Sequence, residues 1–104
     1  MLMLNNPAPL SIAAGVLAGT TLECLRLSPS FHLRGWQILD RWAFDSPGRL
    51  QRLEAEGEVI LLGRLLEQQV LEHQVLSSVA ALELRRRGLA EHEILTLNEV
   101  ATAL

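Results

Sequence analysis

The sequence predicts an all-α fold, a small helical bundle with one long central helix at about 58–87. Three observations carry that expectation. Residues 58–87 contain no Pro and are rich in Leu, Glu, Gln, Ala and Arg, the strongest helix formers. Two Ser-Pro pairs, Ser28-Pro29 and Ser46-Pro47, punctuate the stretch before it as helix starts. Between them, apolar residues recur with helical spacing.

Taken in order, Met1 to Pro9 contains Asn5-Asn6-Pro7-Ala8-Pro9, and prolines two residues apart favour extended backbone, so 1–9 is expected to be an N-terminal arm. Residues 10–104 then form a single helical domain. Small and apolar residues dominate from Leu10 to Leu27. Gly15, Gly19, Thr20 and Thr21 weaken a continuous helix there, which suggests one short helix at 10–18 and another at 20–27.

Ser28-Pro29 should open an amphipathic helix running to about Phe44. At about 100° per residue it places Phe31, Trp36, Ile38, Leu39, Trp42 and Ala43 on one broad side, with Arg34, Gln37, Asp40 and Arg41 opposite. Ser46-Pro47 should open a second helix to about Glu56, with Leu50 and Leu53 inward and Gly57 as its stop.

The central helix ends with Arg85, Arg86 and Arg87 in its last turn, where cations favour the negative end, and with Gly88 as a left-handed cap. A helix or two should follow in 89–104, offering Ile94, Leu95, Leu97, Val100 and Leu104 for burial.

On a helical wheel Leu61, Leu62, Leu65, Leu66, Val70, Leu76, Val79, Ala80 and Leu84 share one wide face of the central helix. Ile60, Leu71, Val75 and Leu82 form a second apolar group. A narrow strip with Gly63, Glu67, Gln74 and Arg85 is left for solvent. A helix apolar on most of its circumference needs cover from several directions, so the bundle is expected to be completed by homodimerisation. The candidate seam is Leu62, Leu66, Gln69, His73, Leu76 and Ala80, in which the polar pair Gln69 and His73 would fix register. The alternative is a monomer whose N-terminal helices wrap the second face.

Composition bounds the function. With 49% hydrophobic and 20% charged residues the chain is too apolar to be disordered. Its net charge of -3 offers no basic surface for nucleic acid or anionic lipid. All nine basic residues are Arg, a usage that suits planar contacts at interfaces and is equally produced by codon bias. The single Cys24 permits no internal disulfide and fits a reducing, cytoplasmic setting. Leu10–Ala18 is too short and lacks the flanks for a signal peptide or membrane span.

Motifs for chemistry are not legible. Glu-x-x-His, His-Glu-x-x-His and a Gly-rich phosphate loop are all missing from the sequence, so no catalytic residue, metal or cofactor is expected. Cys24 with His32 can be drawn as nucleophile and base only on residue type.

The expectation is therefore a non-enzymatic protein-binding helical module, an adaptor, assembly chaperone or small regulator that docks stoichiometrically. Phe31, Trp36 and Trp42 are candidate anchors because aromatic residues dominate interface energetics, with Arg34 and Arg41 as a candidate rim. The rival reading is a dimeric helix-turn-helix-like nucleic-acid-binding regulator with Gly88 in the turn. Against it, residues 89–104 carry Glu91, Glu93 and Glu99 and no Arg or Lys to meet a phosphate backbone.

Overall fold

A computed structural model describes residues 8–104. Of the expected arm at 1–9, residues 1–7 lie outside the described residues. The fold is all-helical, with no strand among the described residues. A short 3-10 turn at Ala13–Gly15 precedes six α-helices: α1 (Gly19–Leu27), α2 (Leu33–Asp45), α3 (Pro47–Glu56), α4 (Glu58–Leu76), α5 (Val79–Arg86) and α6 (Glu91–Leu97).

α4 is the hub, packed against α2, α3, α5 and α6, while the 3-10 turn rests on α2 and α1. Apolar side chains separate into two clusters. The larger draws on every segment from Leu10 to Leu65 and includes Leu25, Ile38, Leu39, Trp42, Leu50 and Leu61. The smaller holds Leu76, Ala81, Ile94 and Leu95.

Two expected elements differ from what is seen. The first Ser-Pro pair does not open a helix. Ser28 forms a turn, its Oγ accepting from Ser30 N–H at 3.3 Å, and α2 begins only at Leu33. The cause is tertiary: Gln69 of α4 donates from Nε2 to Ser30 C=O (2.9 Å) and accepts from His32 N–H (3.3 Å), so these backbone groups serve an inter-element bond. At Ser46-Pro47 the helix does start at Pro47, but the Ser46 side chain makes no capping bond.

The second difference is that the helix expected at 58–87 is broken. Ser77 Oγ donates to His73 C=O (2.6 Å), and Ser78 Oγ donates to Val75 C=O (2.7 Å) while accepting from Ala81 N–H (3.1 Å). Two adjacent serines thus compete for helical carbonyls, and the second caps a new helix, which is how Ser acts at helix starts. The break turns Ala81 inward and leaves Ala80 and Val79 exposed.

Other terminators follow the sequence. Gly57, at φ +140°, separates α3 from α4, and Gly88, at φ +94°, follows α5. Past Gly88, Leu89 N–H reaches Leu84 C=O (3.2 Å), the bond of a left-handed helix cap. α6 is opened by Ala90 N–H donating to Glu93 Oε1 at 2.9 Å.

Where the sequence leaves helix starts bare, acids from elsewhere serve. Asp40 on α2 accepts from Leu10 N–H (2.7 Å) and Ala13 N–H (2.9 Å). Glu54 on α3 accepts from Ala18 N–H (2.9 Å) and Thr21 Oγ1–H (2.7 Å), capping α1 across the fold.

Candidate functional site

Two surfaces of α4 concentrate the features that a function can use, and they lie on different sides of that helix. The inner side is polar at its centre. Residues 61, 65, 68, 72 and 76 follow one another at intervals of three or four and are all buried, so Gln68 and Glu72 occupy the same stripe as Leu61, Leu65 and Leu76.

Glu72 is 1% exposed and is held by Arg41 of α2 in a two-point pair, Nη2 to Oε2 at 2.6 Å and Nη1 to Oε1 at 3.3 Å. Gln68 Nε2 donates to Glu72 Oε2 (2.7 Å) and to Ala101 C=O (2.8 Å), and Gln68 Oε1 accepts from Arg64 (3.0 Å). A buried ion pair persists only when its remaining donors and acceptors are satisfied, and removing one partner typically costs about 3–5 kcal/mol. Gln68 and the main chain beyond α6 supply that satisfaction.

The residues after α6 form an extended strap across this centre. Thr102 C=O accepts from Trp42 Nε1–H (3.0 Å) and from Arg41 Nε–H (3.1 Å), and Leu104 C=O accepts from Arg49 (2.9 Å). Arg64 also stacks over the Trp42 ring, 5.0 Å from its centroid. Beside the strap a cleft of about 270 Å³ is lined by Arg34, Gln37, Arg41, Glu72, Glu91 and His92. Its charges are already matched: Glu91 bridges Arg34 (3.3 Å) and Arg85 (2.6 Å). Partial burial works to raise the Glu91 pKa, but hydrogen bonding and charge from Arg34, and then Arg85, hold it below the ordinary carboxylate range.

The outer side of α4 is apolar and uncovered. Ile60, Val70 and Leu71 are 50%, 46% and 43% exposed, with Val59 more so and Leu66 half-buried beside them. Gly63 sits in the middle of this strip, and a Cβ built there would meet nothing within 4 Å.

The residues singled out from sequence divide between these settings. Phe31 and Trp42 belong to the larger core, at 8% and 0% exposure, so neither is displayed to a partner. Trp36 is partly buried against the same cluster, with its indole N–H shielded and without an acceptor among the described residues. Arg34 and Arg41 are not a solvated rim: both are only partly exposed and engaged by Glu91 and Glu72.

Of the candidate seam, Gln69 and Leu76 are covered within the chain, Leu62 and Leu66 are half-buried, and His73 and Ala80 are exposed. His73 does not share Gln69's environment but lies edge-on to His32, ring centroids 6.3 Å apart. The break at Ser77-Ser78 and the docking of α2 on Gln69 explain why the six do not line one face.

Sequence reasoning missed Gln68, Glu72, Asp40 and Glu54. The first two carried a usable signal, since they fall on the leucine stripe of the helical wheel. The remote caps carried none, because their partners are main-chain groups about thirty residues away.

Chemically, the site orders and shields charge. Cys24 on α1 is exposed. Desolvation by neighbouring atoms, then the Glu58 carboxylate, push its thiol pKa up, the opposite of what an activated nucleophile needs. Among the described residues no three His, Cys, Asp or Glu side chains converge as a metal site. No described helix is long and apolar enough to cross a membrane. No protein-family model matches this sequence, and no curated protein or solved structure is significantly similar to it.

Proposed function

We propose that this chain is a non-enzymatic, protein-binding helical module of the reducing cytoplasm that acts by stoichiometric docking, with a second copy as the first occupant of its docking surface. The observation that supports this reading is the outer strip of α4. Ile60, Val70 and Leu71 each leave about half of an aliphatic side chain in water along one helix face. Full burial of such a side chain is worth roughly 1.5–3 kcal/mol, so covering the strip recovers several kcal/mol against the cost of association.

The strip is self-complementary in shape. Gly63 is an open recess and Val70, two turns later, is a projection at nearly the same azimuth. An antiparallel two-fold pairing of α4 with α4 seats each Val70 over the partner copy's Gly63, the isologous arrangement of a symmetric dimer. The wide inner face of α4 is not the seam, because α2, α3 and α6 already cover it.

Light scattering on the intact chain tests the reading. A dimeric mass is expected for the wild type, and a monomeric mass with unchanged helical circular dichroism for Leu71→Glu and for Gly63→Leu. A wild type that stays monomeric as concentration rises, or a dimer indifferent to both substitutions, sinks the proposal.

A further inference from the structure

The strap at 99–104 is the one part of the fold held by main-chain recognition. The groove beneath it offers four side-chain donors, from Arg41 and Trp42 on α2, Arg49 on α3 and Gln68 on α4. These bond the carbonyls of Ala101, Thr102 and Leu104. Such donors read an extended backbone and leave the small side chains of Ala101 and Ala103 exposed. Sequence-specific contact is confined to the two ends, where Val100 packs on the smaller apolar cluster and Leu104 on the larger.

The strap's attachment is strained. Glu99 has φ +57° and occupies the position after α6 where glycine is usual; Glu99 N–H bonds Thr96 C=O (3.0 Å) and Val100 N–H bonds Leu95 C=O (2.9 Å). A left-handed backbone at a residue with a Cβ is disfavoured, and the strain disappears as soon as the chain passes Glu99 in an ordinary conformation. That change carries the strap away from its own groove.

The groove is ill-suited to stand empty. Trp42 and Gln68 are 0% and 3% exposed, and losing the strap orphans the donors of both while removing one bond from Arg41 beside buried Glu72. A strap that leaves must be replaced by a segment of equal shape. We propose that the groove is an acceptor site for an extended peptide segment, and that its exchange occupant is residues 99–104 of a second copy, with Glu99 as the hinge. Short hinges under strain favour such exchange between identical chains. The site is separate from the outer strip of α4, although the inference shares with that reading the use of a second copy.

The test uses the full chain in a Leu71→Glu background, which removes the outer strip's pairing. Proline cannot adopt φ +57°, so Glu99→Pro forbids the closed strap. The Leu71→Glu, Glu99→Pro chain is expected to be dimeric by light scattering, with the Trp42 indole N–H still protected from hydrogen exchange because the partner copy's strap now accepts it. Glu99→Gly relaxes the hinge in the closed form and is expected to weaken that dimer by about tenfold or more relative to Glu99. A monomeric Glu99→Pro chain overturns the proposal, as does a dimer in which the Trp42 indole exchanges freely or an affinity that Glu99→Gly leaves unchanged. A wild type already monomeric while the Glu99→Pro chain dimerises sinks only the α4 pairing. Dimerisation that Leu71→Glu abolishes and Glu99→Pro does not restore sinks only the exchange.

Discussion

The two apolar clusters of this chain are held by different means. In the larger, formed from Leu10 to Leu65, Trp42, Leu39, Leu50 and Leu61 are enclosed by five successive segments, and the polar groups that enter it are fully partnered. The smaller contains only Leu76, Ala81, Ile94 and Leu95 under a half-buried ring of Val75, Leu84, Leu89 and Val100. It is fastened at its rim by the Arg34–Glu91–Arg85 bridge. A core this small does not fold alone, so α5 and α6 depend on α4 and on α2, whereas the reverse dependence is slight. One region supplies the global stability and the other is a lobe able to open against it.

The largest expected effect comes from emptying the first region. Trp42→Ala removes a fully buried ring that donates to Thr102 and carries Arg64 on its face. Such truncations cost about 3–5 kcal/mol, a large share of the roughly 5–15 kcal/mol that holds a domain together. The urea midpoint of the whole chain should fall, with helices of both regions melting together.

A smaller effect sharpens the contrast. Ile94→Ala should cost about 2–4 kcal/mol locally, because the site has few neighbours to collapse into the space. Native-state hydrogen exchange is expected to show α5 and α6 amides losing protection while Ile38 and Leu39 amides in α2 keep theirs. Equal loss in α2 would break the comparison and make the two clusters one cooperative unit.

The same division decides what was legible in the sequence. Helical class, the Pro47 start, the Gly57 and Gly88 stops and the inward sides of Leu50, Ile38 and Leu61 follow from local chemistry, so pattern and punctuation reveal them. Ser28-Pro29 misleads because Gln69, distant in sequence, claims the backbone of Ser30 and His32. A trace of that approach is present: Gly35 sits within α2 where an added Cβ would run into the Gln69 amide, and a glycine inside a strong helical pattern signals a close neighbour.

Ser77-Ser78 misleads for the opposite reason. Serine is tolerated within helices, and only the packing of Ala81 with Ile94 and Leu95 selects the break. Tryptophans on an amphipathic helix look alike whether they anchor a partner or a core, and Trp42 became core through Thr102, a residue with no distinguishing mark. The outer strip was legible in part, since Ile60 and Leu71 were set apart on the wheel and remain exposed.

The smallest effect concerns the rim of the second region and depends on pH. Glu91 is held below the ordinary carboxylate range by Arg34 and Arg85 against the opposing pull of partial burial. A carboxylate whose folded pKa lies below its unfolded value of about 4.3 adds stability that is fully present above that value and is lost as pH falls through the folded pKa. Acidification below about pH 4 should therefore loosen α6 before α2, and Glu91→Gln should do the same at neutral pH without further change on acidification. Glu91 is 47% exposed in its side chain, so solvent screening keeps each pair near the 0.2–1 kcal/mol of surface bridges. Amide exchange of Ile94 and Leu95, followed from pH 7 to pH 3 in the wild type and in Glu91→Gln, reads the difference directly. An acid-induced opening that persists unchanged in Glu91→Gln would assign the fastening of the lobe to apolar contact alone, and the two regions would then differ in size and not in kind.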